Sequence, residues 1–267
     1  MTAQTRTEIA ELLSRHGLSP SRRLGQHFLA DANITRKIVD VAGVGPGDQV
    51  VEIGAGTGTL TRALAATGAQ VVAYEVDAGL LPVLDEATRG LSVELRFLDI
   101  TDADLAGELG AGRWVMVANL PYNVGTPLVL DALRRVPQIE RFVVMVQREV
   151  AERLVSGPGS KQYGQPSVVA GIHAVGRLAF RVPAQVFYPP PNVESAVVVL
   201  DRVPQPDGAE RAIEIAAAGF NQRRKMLRSS LAGVFDDPAL VLQRAGIDPT
   251  SRAEDLSPAD YLALARA

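Results

Sequence analysis

An α/β fold built on a mostly parallel sheet, followed by a small all-helical domain, is what this sequence predicts, and three observations predict it. Short β-branched runs alternate with segments of helical apolar spacing from about residue 34 to residue 155, as repeated strand and helix units require. A glycine-rich turn, Gly54-Ala55-Gly56-Thr57-Gly58, stands between one such strand and one such helix. After Arg202-Val203-Pro204-Gln205-Pro206-Asp207-Gly208, which has the composition of a linker, apolar residues repeat only at helical spacing. The expected boundaries are 1–204 for the α/β domain and 205–267 for the helical one. With 267 residues, 47% of them hydrophobic and 21% charged, the chain is long enough for both cores.

The elements follow in order. Thr7 to Arg15 reads as a helix with Ile9, Leu12 and Leu13 on one side, stopped at Gly17. Ser21-Arg22-Arg23-Leu24-Gly25-Gln26-His27-Phe28-Leu29 is basic and polar ahead of an apolar pair; it suits a surface linker with Phe28 and Leu29 tucked into the core, or a lid over a ligand. Ile34, Ile38, Val39 and Ala42 then mark a helix. Asp48 to Ile53 is a strand that feeds the glycine turn, and Leu60, Ala63, Leu64 and Ala66 mark the helix beyond it. Gly54, Gly56 and Gly58 allow a tight turn and close backbone approach to a ligand whose carboxylate or phosphate meets the helix start. A second strand, Gln70 to Tyr74, delivers Glu75, which is spaced from Gly54 as an acid for the two ribose hydroxyls of a nucleoside cofactor. The glycine spacing alone does not choose between a dinucleotide and S-adenosylmethionine. A third strand, Val93 to Leu98, ends in Asp99, placed either to bind an adenine amine or to cap a helix starting near Thr101.

The fourth strand carries the most distinctive chemistry. Trp114 to Ala118 is too short and too β-branched for a buried helix, and Pro121 cannot continue a central ladder, so the chain leaves the sheet at Asn119. Asn119-Leu120-Pro121-Tyr122 therefore stands at the carboxyl edge of a strand, where open α/β sheets bind ligands. If the Asn119 side-chain oxygen and the Pro121 carbonyl each accept one hydrogen of adenine N6, the nitrogen lone pair localises and can attack a methyl donor. Each well-placed acceptor of this kind contributes about 3 to 4 kcal/mol by analogy with oxyanion-hole donors. Tyr122 can stack on the base for about 1 to 3 kcal/mol.

Thr126-Pro127 reads as a cap followed by the first helical position of a helix to Arg135, Phe142 to Val146 as a fifth strand, and Arg148 to Val155 as a charged helix. Gly157-Pro158-Gly159-Ser160-Lys161-Gln162-Tyr163-Gly164 is a glycine-rich loop. Strands around Ile172 to Val175 and Ser195 to Leu200 complete a set of seven. Between them the run Val186 to Val193 contains three consecutive prolines, a rigid arm that fixes Phe187 at its root, where it could face Tyr122 across a base. In the helical domain Asp237-Pro238 and Ser257-Pro258 are helix starts and Gly246 a stop. Its informative piece is Phe220 to Arg228, read as a cationic helix whose Arg223, Arg224, Lys225 and Arg228 can contact phosphates.

Composition excludes other chemistries. A net charge of -3 rules out coating nucleic acid with the whole surface, so any contact must be a local basic patch. There are no cysteines, and His16, His27 and His173 are scattered, so no metal site is expected. With no long apolar stretch and a polar start, a cytoplasmic location away from membranes is expected.

Gly25 to Leu29, Glu52 to Gly58, Asn119 to Leu128, Ser160 to Gly164, Phe187 to Pro191 and Phe220 to Leu231 together resemble the bacterial small-subunit (16S) ribosomal RNA adenine dimethyltransferase family over nearly the whole chain after about residue 20. The resemblance implies a class I, Rossmann-like methyltransferase fold with a seven-stranded sheet, and S-adenosyl-L-methionine bound by His27, Leu29, Gly54, Gly56, Glu75, Asp99 and Asn119. Many relatives carry asparagine where this chain has His27. The resemblance further implies a target adenine between Tyr122 and Phe187, with Asn119 and Pro121 catalytic, and RNA contacts from Arg22, Arg23, Lys161 and the four cations of residues 223–228. It points to dimethylation of two adjacent adenosines in the 3′-terminal hairpin loop of 16S rRNA in an assembling small subunit, by a monomer. Alternatives are a 23S rRNA dimethyltransferase of the antibiotic-resistance kind, an RNA-binding assembly factor with dispensable methylation, and a DNA adenine methyltransferase, for which the residues after the linker leave too little room for a target-recognition domain.

Overall fold

The protein is represented by a computed structural model that describes residues 4–122 and 124–267; Asn123 of the motif above lies outside them. Helix α1, Arg6–Arg15, starts at a capping box in which the Thr5 hydroxyl accepts the Glu8 amide and the Glu8 carboxylate accepts the Thr5 amide. It buries Ile9, Leu12 and Leu13, as their spacing predicts. Then come β1 (Phe28–Leu29), α2 (Ala32–Ala42), β2 (Gln49–Ile53), α3 (Thr59–Ala65), β3 (Gln70–Glu75), α4 (Leu81–Thr88), β4 (Val93–Phe97), α5 (Leu105–Leu109), β5 (Trp114–Asn119), α6 (Gly125–Arg135), β6 (Ile139–Gln147), α7 (Arg148–Leu154), α8 (Gln165–His173), β7 (Ala174–Val182), β8 (Phe187–Tyr188) and β9 (Ser195–Arg202). The last helices are α9 (Ala209–Asn221), α10 (Leu227–Ser230), α11 (Pro238–Arg244) and α12 (Pro258–Arg266).

Seven strands form one sheet in the order β4-β3-β2-β5-β6-β9-β7. The β2·β3, β2·β5, β3·β4 and β5·β6 pairs are parallel and β6·β9 is antiparallel. From β2 the chain winds outward through β3 and β4, then returns to the other side of β2 for β5 and β6. The switch point lies between β2 and β5, and the crevice outside their carboxyl ends is where such sheets take ligands. The glycine turn leaves β2 there and Asn119 leaves β5 beside it. Val50, Val51, Met116, Val117, Val143 and Val144 are fully buried, as continuous apolar strands covered on both faces must be.

The chain divides into two compact units, Met1–Ala151 with Arg177–Asp201, and Glu152–Gly176 with Arg202–Ala267. Glu152–Gly176, inside the first of the two expected domains, thus group with the carboxyl-terminal helices. The sheet unit also holds the two-stranded β1·β8 pair, with Leu29 opposite Phe187. In the helical unit, Tyr163, Phe220 and Tyr261 form an aromatic row with centroids 5.9 and 6.4 Å apart. The buried Tyr163 hydroxyl donates to Leu256 O at 2.7 Å, anchoring the 157–164 loop.

Four local expectations change. Ile172 and His173 end a helix, and β7 begins only at Ala174: α8 starts at Gln165 with Pro166 in its first turn, and the Ser167 hydroxyl accepts the Gly164 amide at 3.1 Å. A short apolar run reads equally as buried strand or buried helix, and here the proline decides. α6 starts at Gly125, one residue before Thr126, because the Pro121 carbonyl accepts the Gly125 amide at 2.9 Å. Asp99 caps no helix; its Oδ1 accepts the Thr101 amide and hydroxyl in a local turn. The cationic run is not one helix: α9 ends at Asn221, Arg223, Arg224 and Lys225 lie in a turn, and Met226 bridges Arg252, holding the chain extended until Leu227 is buried in α10, which carries Arg228.

Tyr163→Phe should destabilise the helical unit by about 1 to 3 kcal/mol, because it strands the Leu256 carbonyl without its buried donor. Urea unfolding checks this; an unchanged midpoint would show that the bond contributes nothing.

Candidate active site

At the switch point, His27, Gly54, Gly56, Glu75, Asp99, Asn119, Pro121 and Tyr122 line one solvent-open crevice of about 820 Å³. Eight of the residues singled out from sequence are therefore brought together by the fold. Two others lie beside the crevice and do not line it: Leu29 and Phe187 are buried in the core as cross-strand partners of β1 and β8. Phe187 is 0% exposed, so the reading of it as an open stacking face opposite Tyr122 is corrected to a core residue paired with Leu29.

Asn119 is oriented by its neighbour. Its Nδ2 donates to the His27 carbonyl at 3.1 Å. A carbonyl only accepts, so the amide nitrogen must face it, and Oδ1 is left as an acceptor for the crevice. The next acceptor differs from expectation. The Pro121 carbonyl is committed to the start of α6, taking the amides of Gly125 at 2.9 Å and Val124 at 3.3 Å. Leu120 donates its amide to Met145 O, but among the described residues no donor reaches its carbonyl. Among the described residues, the backbone acceptor left beside Asn119 is therefore Leu120 O. Reading the motif by its proline missed this, since the sequence carries no signal of which carbonyl the next helix takes.

Tyr122 is half-buried, its hydroxyl paired with Ser195 Oγ at 2.7 Å. Burial raises its pKa, with the serine opposing, so it stays a neutral phenol. The His27 ring stacks on it at 5.6 Å and 25°, and His27 Nδ1 donates to Pro189 O at 2.7 Å. His27 thus holds an asparagine by its carbonyl and a tyrosine by its ring. The segment ahead of it is tied down: Gln26 Nε2 donates to Asp77 Oδ2 and Gln26 Oε1 accepts the Ser21 amide, each at 2.7 Å. That suits the lid reading, with Leu24, Gly25 and Gln26 lining the crevice and Arg22 and Arg23 exposed in its turn.

Across the crevice, Glu75 Oε2 accepts the Gly56 amide at 2.8 Å and Oε1 the Asp77 amide at 2.9 Å. Burial raises its pKa, and those two donors pull it back. Glu52, below the turn, is 1% exposed, and among the described residues its Oε2 has no hydrogen-bond partner. Burial pushes its pKa up to about 8; the Thr61 hydroxyl opposes this and Glu75 adds to it. Glycine is required in the turn: Gly54 and Gly56 have φ of 80° and 57°, and a methyl on Gly56 would come within 3.0 Å of the Phe28 ring. A backbone cradle, the buried acid Glu75 and the apolar walls Val76, Leu98 and Ile100 fit a nucleoside-bearing ligand. Those walls went unnoticed in the sequence because they are ordinary strand-end residues.

In the helical unit, Lys161, Arg223, Arg224, Lys225 and Arg228 are all exposed. Arg223 donates to the Lys161 carbonyl at 3.4 Å and pairs with Glu254 at 2.7 Å, so loop and turn come together. Among the described residues no cluster of three metal-ligating side chains occurs, and no helix is long and apolar enough to cross a membrane.

Residues 18–267 match the family described as ribosomal RNA adenine dimethylase. The chain is 46% identical over 272 residues to ribosomal RNA small subunit methyltransferase A of Phenylobacterium zucineum (strain HLK1), covering 100% of this chain and 94% of that protein. It is 45% identical over 268 residues to the protein of the same name from Leifsonia xyli subsp. xyli (strain CTCB07), covering 97% and 96%. Among solved structures, the 23S rRNA methyltransferase ErmE aligns with a TM-score of 0.71 at 25% identity, covering 90% of this chain and 98% of that one. A dimethyladenosine transferase from Plasmodium falciparum shares the fold, with a TM-score of 0.76 at 22% identity, covering 89% and 96%. The fold is that of the Rossmann-like methyltransferases.

The buried Glu52 carboxyl has a testable signature. Its folded-state pKa lies above the unfolded value, so its contribution to stability is full below the ordinary carboxylate range and is lost as pH rises toward about 8. Glu52→Gln lacks this loss. Its melting midpoint should climb relative to wild type between about pH 5 and pH 8, by about 2 to 4 °C for each kcal/mol. A difference that stays flat across that range would mean that Glu52 titrates as an ordinary acid.

Proposed function

This chain belongs to the ribosomal RNA adenine dimethylase family, and from that premise we propose that it converts two adjacent adenosines in the 3′-terminal hairpin loop of 16S rRNA to N6,N6-dimethyladenosine while the small ribosomal subunit assembles. It is an S-adenosyl-L-methionine-dependent rRNA adenine dimethyltransferase, and it acts in the cytoplasm as a monomer. The observation that carries the reading is the Asn119 carboxamide, held by the His27 carbonyl with its oxygen left for the crevice.

S-adenosyl-L-methionine supplies a methyl group on a sulfonium, open to direct displacement. For the cofactor, the Gly54 and Gly56 backbone gives a close cradle, Glu75 the acceptors for a ribose diol, and Asp99 the acceptor for an adenine amine through Oδ2, since Oδ1 is held by Thr101. For the target base, Asn119 Oδ1 and Leu120 O accept the N6 hydrogens and localise the nitrogen lone pair, while Tyr122 lies flat against the ring. No side chain need act as a strong base, because the proton leaves the methylated nitrogen to water. Alignment is the larger contribution, up to about 7 to 11 kcal/mol in well-oriented systems. An adenosine in a loop reaches such a pocket for a few kcal/mol or less. The exposed cations at Lys161 and residues 223–228, with Arg22 and Arg23, would grip the RNA backbone.

The 23S alternative is not favoured: relatives named for the small subunit stand at 42–46% identity, against 25% for ErmE. The dispensable-methylation alternative is not favoured either, since the relatives at this level of identity are named as methyltransferases.

Asn119→Ala should lower methyl transfer to immature small subunits by at least about 100-fold while donor affinity falls less than about tenfold. Mass spectrometry of rRNA nucleosides after incubation with labelled donor reads the first, calorimetry the second. Equal losses would make Asn119 chiefly a cofactor residue. Replacing Arg224, Lys225 and Arg228 together by serine should leave donor binding intact and flatten the salt dependence of RNA binding by about 0.7 to 0.9 log units per lost phosphate contact. An unchanged slope would remove the turn from the RNA interface.

A further inference from the structure

The glycine turn is tethered at three places. At its start, the Gly54 and Ala55 amides both donate to the Tyr74 carbonyl, at 2.8 and 3.1 Å. In its middle, the Gly56 amide donates to Glu75. At its far end, the hydroxyls of Thr57 and Thr59 donate to one oxygen, Oε1 of Gln4, at 2.8 and 2.7 Å. Gln4 belongs to the segment ahead of α1, more than fifty residues away in sequence, yet it is 7% exposed and the two threonines 2% and 4%. A buried amide whose oxygen takes two short hydrogen bonds from a ligand-binding turn is more than packing.

We propose that Gln4 is a positioning residue for the methyl donor: its side-chain oxygen fixes the far end of the glycine turn and thereby holds the Gly56 amide on Glu75. Gln4 does not line the crevice, so it acts through the turn. Three glycines at positive φ give this segment more backbone freedom to lose than any other residues would, which makes each tether count. Without Gln4, Thr57 and Thr59 lose their common acceptor and the Gly56 amide is free to swing off the acid that receives the ribose. The loss falls on donor binding and leaves the displacement step alone. The inference rests on the cofactor assignment made above.

The test compares Gln4→Leu, which fills the same space without an acceptor, with Gln4→Glu, which keeps one. Calorimetry with S-adenosyl-L-methionine should give a dissociation constant raised about three- to tenfold for Gln4→Leu, as expected for a lost buried hydrogen bond, and restored to within about twofold by Gln4→Glu. The turnover number at saturating donor should match wild type in both. Should Gln4→Leu not fold, Thr57→Val with Thr59→Val removes the same two donors and carries the same expectation. Donor affinity unmoved in the variants, equal weakening by Leu and Glu, or a fall in turnover without a change in affinity would overturn the inference. Wild-type protein that binds no donor would sink the cofactor assignment, and this inference with it.

Discussion

Everything at the crevice depends on where β5 is made to stop. The ladder runs through Ala118 and Asn119 against Val144 and Met145, and Pro121 can donate nothing further. The chain must turn out at the sheet rim, and its last polar side chain is carried to the switch point with it. A carboxamide there could face either way. The His27 carbonyl removes the choice, because it demands a donor and so leaves the amide oxygen for the crevice. The same residue stacks its ring on Tyr122 and donates from Nδ1 to Pro189 O, which fixes the proton on that nitrogen. One residue thus sets the orientation of two side chains that line the crevice, Asn119 and Tyr122.

Electrostatics at the rim follow from burial. The charge on Glu75 adds to the burial that disfavours ionisation of Glu52, so the two acids divide their roles. Glu75 has two backbone donors, one on each oxygen, and is equipped to carry the charge. Glu52 has a buried oxygen with no partner and holds its proton up to about pH 8. A neutral acid under the turn avoids the far greater penalty of two buried charges.

Much of this was legible in the sequence because it rests on local rules. Strand, glycine turn and helix follow from periodicity and from backbone freedom at Gly54 and Gly56, and Glu75 follows from spacing. What escaped was decided by competition over distance. Pro121 O was claimed by a helix amide, shifting the acceptor to Leu120. Phe187 was taken into the core by its pairing with Leu29. The cations at 223–225 left the helix because Met226 found a bridge partner at Arg252. Gln4 offered no signal at all, since a glutamine ahead of a helix is ordinary until its partners are known.

The need to methylate twice bears on the choice of acceptors. Adenine N6 offers two hydrogens at first and one afterwards, so the second transfer proceeds with a single hydrogen bond from the amine. Had both acceptors been backbone carbonyls, neither could move to follow the remaining hydrogen. Leu120 O is fixed because Leu120 N is bonded to Met145 O, whereas the Asn119 amide is held through one bond to a lid carbonyl. The side-chain acceptor keeps a torsional freedom that the ladder-bound carbonyl lacks, so of the two it is the one able to follow the hydrogen that remains after the first transfer.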